Sequence, residues 1–294
     1  ITTIVIQFNF GFFDFEQLSI LIEKLKSKQI NIIIFLHSTT DPINIKNKTL
    51  KYLQSKLSVC DRLYVHSPSD LNKLKNINLE TNSSIFPHGI IHYKKINENI
   101  EKQYNFNSRI INSKHFNIST FGFCLPNKGF PELIKAIEFA KQKGYSFNLN
   151  LYTATYNFDY SYYPIELQEI INNLSLHNNV KIHTEYIPIK ESLDLLSKSD
   201  LIIFPYQNSN ESSSAAVRHG ISTGIKVAVT PISIFDDVSG MVEFLPGISP
   251  EDISEGIINL YKEQFNMYPE AGKQELINQK SRWVEHHQFR NLSM

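Results

Sequence analysis

The sequence predicts an α/β protein built from two Rossmann-like domains, and three observations carry that prediction. Short β-branched runs alternate along the chain with amphipathic helical stretches. The strand-like runs are continuously apolar, as expected of strands buried on both faces of a parallel sheet. The alternation lapses in a polar, Asn/Lys-rich stretch and then restarts, which divides the 294 residues into two units.

Taken in order, residues 4–8 and 30–36 read as strands, and Leu18, Leu21, Ile22 and Leu25 mark a helix over 15–27 between them. Strands follow at 63–65 and 85–86, with helices near 46–58 and 69–75. Ser67-Pro68 with Asp70 supplies a capping side chain and a first-turn proline for the second of these helices. Residues 97–113 lack periodicity and read as a linker. Beyond it, 116–121 is a strand and 131–143 a helix that Gly144 stops. Strand 147–152 precedes a helix over 164–176, with Leu167, Ile170, Ile171 and Leu174 on one stripe. Strands at 180–182, 201–204 and 226–229 alternate with helices over 190–198 and 211–223, and helices over 250–262 and 271–287 follow. The expected domains are 1–105 and 106–270, with a terminal helix in 271–294 packing back toward the first.

Composition narrows the function. The 29 Lys+Arg balance the 29 Asp+Glu, which argues against a nucleic-acid binder that relies on phosphate contacts. With 41% hydrophobic and 12% aromatic residues the chain can bury sizeable cores. Only Cys60 and Cys124 are present, without a CxxC motif, so a disulfide framework is not expected and a reducing, cytoplasmic setting is. No apolar run approaches the ~20 residues of a membrane helix. The first 13 residues carry neither a basic start nor a cleavage site. The chain opens at Ile1 inside a strand-like run, as a piece of a longer protein would.

Ligands of parallel α/β sheets bind beyond the carboxyl ends of the strands, so the loops after strands come first. The most informative is Pro205-Tyr206-Gln207-Asn208-Ser209-Asn210-Glu211-Ser212-Ser213-Ser214, a strand end running toward a helix. Backbone N–H groups at a helix start, ringed by hydroxyls, suit an anion, and Glu211 beside them could accept hydrogen bonds from sugar hydroxyls. The same residues also make an ordinary capping arrangement. A second loop, Gly122-Phe123-Cys124-Leu125-Pro126-Asn127-Lys128-Gly129, places Lys128 just before a helix, where it could neutralise a diphosphate or simply be solvated. His37 follows a strand and reads either as a functional group or as a satisfied strand-end residue. His88 reads as structural, and His66, His115, His183, His286 and His287 as surface or core residues without ligand spacing. Tyr152, Tyr156, Phe158, Tyr160, Tyr162 and Tyr163 could line an acceptor or base site, or equally a partner surface.

Together, Gly122…Asn127-Lys128-Gly129, Glu211 with its serines, and Gly224…Val227…Thr230-Pro231 resemble the donor-binding half of the retaining GT-B glycosyltransferases, family-four type. Ser199-Asp200-Leu201…Pro205 fits as well. In the first half, Leu36-His37, Asp61-Arg62-Leu63…His66-Ser67 and Pro87-His88-Gly89 match, so the resemblance spans nearly the whole chain. It implies two Rossmann-type domains facing a cleft, the first lacking its opening strand and Gly-rich loop. It also implies transfer of a hexose from a nucleoside diphosphate sugar to a glycan or lipid-linked acceptor, in polysaccharide or glycoconjugate synthesis. Peripheral membrane contact is compatible with that setting. By the resemblance, Lys128 contacts the donor diphosphate and Glu211 the transferred sugar. Ser212, Ser213, Ser214 and Gly122 surround the phosphates, and His37 faces the reacting centre. Gly89 shapes the crossing between domains. No metal or other cofactor is expected, since the chain has no Asp-x-Asp and its nearest approach is Asp14-Phe15-Glu16.

The family usually carries a second Glu eight residues after the first, gripping ribose; here that position is His219. On one helix the two would stand ~12 Å apart. Phe123 also replaces a frequent Arg. These departures, with the missing start, keep open a second reading: a GT-B scaffold that no longer catalyses and serves as a binding module.

Overall fold

The computed structural model describes residues 1–43, 45, 47–104, 116–155, 158–263 and 270–292. They form two compact units, Ile1–His88 with Ser209–Ser214, and Gly89–Asn208 with Ala215–Met294.

The first unit runs β1 (Thr3–Phe8), α1 (Phe15–Ser27), β2 (Asn31–Leu36), α2 (Leu50–Leu57), β3 (Arg62–Val65), α3 (Pro68–Lys75) and β4 (Ser83–Ile85). Its sheet is parallel throughout, in the order β1-β2-β3-β4. Each helix starts where a side chain satisfies an otherwise orphaned N–H. Asp14 accepts from the Gln17 N–H at 2.9 Å, Thr49 from Tyr52 at 3.2 Å and Ser67 from Asp70 at 3.2 Å. The expected stripe of α1 turns Leu18, Ile22 and Leu25 into the core, beside Ile32, Ile34 and Leu36 of β2. Leu21 of that stripe remains exposed.

The second unit contains α4 (Ile96–Tyr104), β5 (Phe116–Phe123), α5 (Phe130–Gln142), β6 (Phe147–Ala154), α6 (Tyr163–Asn173), β7 (Val180–His183) and α7 (Ile189–Leu196). It continues through β8 (Leu201–Phe204), α8 (Ala215–Ser222), β9 (Val227–Val229), β10 (Glu243–Phe244), α9 (Pro250–Glu263) and α10 (Glu270–His287). Its parallel sheet has the order β10-β9-β8-β5-β6-β7. Both faces are covered: Leu201 and Ile203 of β8 enter one core cluster, while Ile202 and Phe204 enter another. That double burial is why β8 is apolar at every position.

Three expectations change. Part of the expected linker is helix: residues 97–104 lie in α4, while 105–113, and with them the expected domain boundary, lie outside the described residues. Ile96, Ile100 and Tyr104 of α4 are buried in the second unit's core. Its polar residues are buried too, because Asn99 donates to the Thr223 carbonyl at 2.7 Å and Gln103 to that of Gly224. These side chains satisfy carbonyls at the end of α8, a role that reads in sequence as solvent exposure. The terminal helix α10 belongs to the second unit, where Ile277 and Val284 join the core and Ile90 bridges Gln288. The third change concerns the serine loop and bears directly on the site.

Candidate functional site

In the second unit, β6 and β7 lie to one side of β5 and β8 to β10 to the other, so the strand order reverses between β5 and β8. A crevice for ligands opens beyond the carboxyl ends of strands at such a reversal. The two loops singled out in the sequence leave β5 and β8 at this place, and they are joined. The Gln207 N–H donates to the Asn127 carbonyl at 3.0 Å, and the Asn127 side chain donates to the Asn208 carbonyl at 3.3 Å. Gly129 closes the turn with φ +72°, and a Cβ there would stand 1.8 Å from the Pro205 carbonyl oxygen, so only glycine fits. Lys128 is thereby fixed, half-buried, with Nζ 4.0 Å from the centroid of the Tyr206 ring. A cation over an aromatic face is held by the ring quadrupole, so this is not a lysine loose in solvent.

Gly122, the penultimate residue of β5, has φ +144°, and a Cβ on it would lie 3.8 Å from the Ala216 side chain in the first turn of α8. That is ordinary contact spacing, so the backbone angle is what calls for glycine, and this end of β5 lies beside the start of α8. His219, further along α8, is half-buried and meets Phe121 edge-on at 5.3 Å. Burial lowers its pKa, and its buried Nδ1 makes no hydrogen bond among the described residues. The expected 12 Å separation along a helix does not apply, because Glu211 is not in α8.

Glu211 and the serines lie in an irregular loop, and the helix begins only at Ala215. The cause is a set of competing bonds to the first unit, to which Ser209–Ser214 belongs. The Ser212 N–H donates to the His37 carbonyl at 3.1 Å, and the Ser38 hydroxyl to the Asn210 carbonyl at 2.6 Å. These bonds hold the loop backbone away from helical pairing. The Ser212 N–H is thus bonded within the protein. Its hydroxyl is buried without a partner among the described residues. Glu211 is exposed, its own N–H bonded to the Ser209 hydroxyl at 3.1 Å, and Ser213 is half-buried.

His37 stands directly after β2, in contact with two histidines read from sequence as structural or as surface or core. Its Nδ1 is 3.3 Å from Nε2 of His66, and its Nε2 is 2.6 Å from the Gln7 side-chain oxygen. His66, 5% exposed, places Nδ1 3.0 Å from the Phe86 carbonyl oxygen. The His88 ring lies 5.2 Å from that of His66 and 6.4 Å from that of His37. Burial, then the His66 charge, lower the pKa of His37; the Glu211 carboxylate pulls it upward. The signal for this group was available in the order of the strands. His37 follows β2, His66 follows β3 and His88 follows β4 by three residues, and adjacent parallel strands bring their carboxyl ends side by side.

The site residues therefore fall into two groups. His37, Glu211, Ser212, Ser213 and Ser214 are in the first unit, and Gly122, Lys128 and His219 in the second. Among the described residues no group of three or more His, Cys, Asp or Glu is disposed to hold a metal ion. No helix among them is long and apolar enough to cross a membrane. Of the aromatic cluster, Tyr163 is buried, Tyr162 is exposed, Tyr152 stacks on His183 at 4.9 Å, and Tyr156 lies outside the described residues.

No protein-family model matches the sequence. No curated protein matches it either. Solved structures do. A UDP-forming α,α-trehalose-phosphate synthase from Burkholderia xenovorans, in complex with glucose-6-phosphate, superposes with a TM-score of 0.71 at 11% identity, covering 99% of this chain and 73% of its own. Anabaena Alr3699/HepE in complex with UDP gives 0.72 at 13% identity, covering 98% and 76%. A glycosyltransferase from Rickettsia africae gives 0.64 at 15% identity, covering 95% and 78%. The fold is of the GT-B type. At such identities the likeness is one of fold, and within the GT-B fold of this chain the β5/β8 reversal lies in the second unit.

Proposed function

We propose that this protein is a glycosyltransferase that moves a hexose from a nucleoside diphosphate donor to an acceptor, with retention of configuration. The observation that carries the reading is the joined pair of loops beyond β5 and β8, with the Lys128 ammonium 4.0 Å over Tyr206 at the strand-order reversal. The fold agrees with this reading, since similar structures include a UDP complex and a UDP-forming synthase.

In this reading Lys128 meets the donor diphosphate. Stacking on Tyr206 limits the rotamers the ammonium samples, so less entropy is lost when a phosphate arrives. The start of α8, close to the bare end of β5 at Gly122, adds the positive end of a helix dipole. Charge on the departing diphosphate is thus met by Lys128 and backbone N–H groups instead of a metal ion. Glu211, exposed and acceptor-only when ionised, receives hydrogen bonds from hydroxyls of the transferred sugar. Ser213 and the turn into α8 supply the loop's contact with phosphate, since the Ser212 N–H is already bonded. His37 meets a substrate hydroxyl through its Nε2. The acceptor is a glycan or lipid-linked sugar in polysaccharide or glycoconjugate assembly at the cytoplasmic side of a membrane.

The test is incubation with a panel of UDP- and GDP-hexoses, following nucleoside diphosphate release and the anomer of the product by NMR. Release with a retained anomer supports the reading. No release above background, together with no UDP or GDP binding by calorimetry, contradicts it and leaves the binding-module alternative.

A further inference from the structure

The proton count in the first unit's histidine pair fixes more than a contact. A carbonyl only accepts, so His66 must carry its hydrogen on Nδ1 to bond the Phe86 oxygen at 3.0 Å. A neutral His66 then has a bare Nε2, which can only accept from His37 Nδ1 at 3.3 Å. A neutral His37 that donates from Nδ1 has a bare Nε2 in turn.

The far end of the chain responds to charge. Between the Phe86 carbonyl and the Gln7 side-chain oxygen lie three hydrogen-bond positions, and two neutral imidazoles have only two N–H groups. Gln7 can present its carbonyl to His37 Nε2 when the pair holds one extra proton. When the pair is neutral, Gln7 must turn its NH2 there instead. Ionisable groups that face the pair include the His88 ring, 5.2 Å from that of His66, and the Glu211 carboxylate, which acts on His37. Glu211 favours the charged pair, whereas burial favours the neutral one and is the largest influence on His37.

We propose that His66 is a positioning residue for His37: it holds the proton of His37 on Nδ1, so that Nε2 faces an incoming hydroxyl as an acceptor. Gln7 occupies that acceptor until substrate displaces it. The functional consequence rests on the reading of His37 as a substrate-facing group in a glycosyltransferase; the tautomer itself does not. Removing the His66 acceptor releases His37 to the Nε2–H form that imidazole prefers in water, which turns a hydrogen-bond acceptor into a donor.

The experiment is a two-dimensional ¹⁵N–¹H spectrum of ring nitrogens in ¹⁵N-histidine-labelled protein, above the pH range of histidine titration. The His37 signals are identified by their loss in His37→Gln. The expected result is an Nδ1–H tautomer for His37 in the native protein and an Nε2–H tautomer in His66→Phe, which keeps a ring beside Phe35. An Nε2–H tautomer in the native protein, or an Nδ1–H tautomer surviving in His66→Phe, overturns the proposal. If His66→Phe does not melt cooperatively, the native spectrum decides alone. The expected tautomers without turnover of any nucleotide sugar would sink the glycosyltransferase reading and leave this one standing. Turnover with the wrong tautomer would do the reverse.

Discussion

Lys128 places its ammonium 4.0 Å above the ring of Tyr206, and the two residues come from loops that leave different strands, β5 and β8. A phosphate drawn to Lys128 therefore meets a cation whose position is set by a second loop. Replacing Lys128 by Ala should weaken UDP or GDP binding roughly 10- to 100-fold, the range of a charged hydrogen bond. Tyr206→Leu should weaken it by a smaller factor while lowering stability, because Tyr206 is 2% exposed and part of the core. Isothermal calorimetry on both variants separates the effects. Equal affinity in Lys128→Ala and the native protein would remove Lys128 from the donor site.

The joined loops also predict where glycine is indispensable. Gly129→Ala puts a Cβ against the Pro205 carbonyl in a backbone of φ +72° and should cost about 2 kcal/mol or more. Gly144 has φ +87° but open space around it, so Gly144→Ala should cost only about 1–2 kcal/mol. Urea melts of the two variants make the comparison. A smaller loss at Gly129 than at Gly144 would mean that the loops are not in contact.

Much of this was legible in the sequence because parallel sheets buried on both faces leave uninterrupted apolar runs, as β2 and β8 do. Caps such as Ser67 were legible for the same kind of reason, since the chemistry is local. α4 was not, because Asn99 and Gln103 are polar residues buried to satisfy carbonyls more than 100 residues away in sequence. The serine loop reads as the opening of a helix by composition, and only its bonds to His37 and Ser38 stop it. The histidine group was missed for want of strand order: His37 and His66 are 29 residues apart and meet only because β2 and β3 are neighbours. Lys128 and Glu211 were singled out as loop residues after strands, a rule that needs no side-chain geometry.

Stability should depend on pH in a direction set by the histidines. His37, His219 and His287 all have pKa values lowered from 6.5, with burial the largest cause. The unfolded chain then binds protons that the folded chain refuses, so stability is highest above 6.5 and is lost as pH falls through the lowered native values. Thermal melts from about pH 8 down to about pH 5.5 should show a falling Tm, and Phe or Gln at His219 should flatten the decline. A Tm that rises on acidification across this range would contradict the assignment of these rings as neutral.

By the sequence resemblance drawn above, His219 stands eight residues after Glu211, where a ribose-binding carboxylate is expected. In this chain burial lowers its pKa, and it packs on Phe121 with Nδ1 making no hydrogen bond among the described residues. His219→Glu should tighten UDP or GDP binding by roughly tenfold, since a carboxylate accepts from two ribose hydroxyls. Calorimetry reads the change directly. No gain in a folded variant would show that this side chain does not reach ribose.

The measurement that bears most directly on the central claim is nucleotide-sugar turnover in Glu211→Gln beside the native protein. Glu211 is exposed, so the substitution should leave the melting temperature unchanged. Gln keeps the shape of the side chain but loses the charge that accepts hydroxyl hydrogen bonds. The expected result is a fall of roughly 100-fold or more in the rate of nucleoside diphosphate release, with nucleotide affinity largely retained. An unchanged rate in a folded Glu211→Gln protein would contradict it.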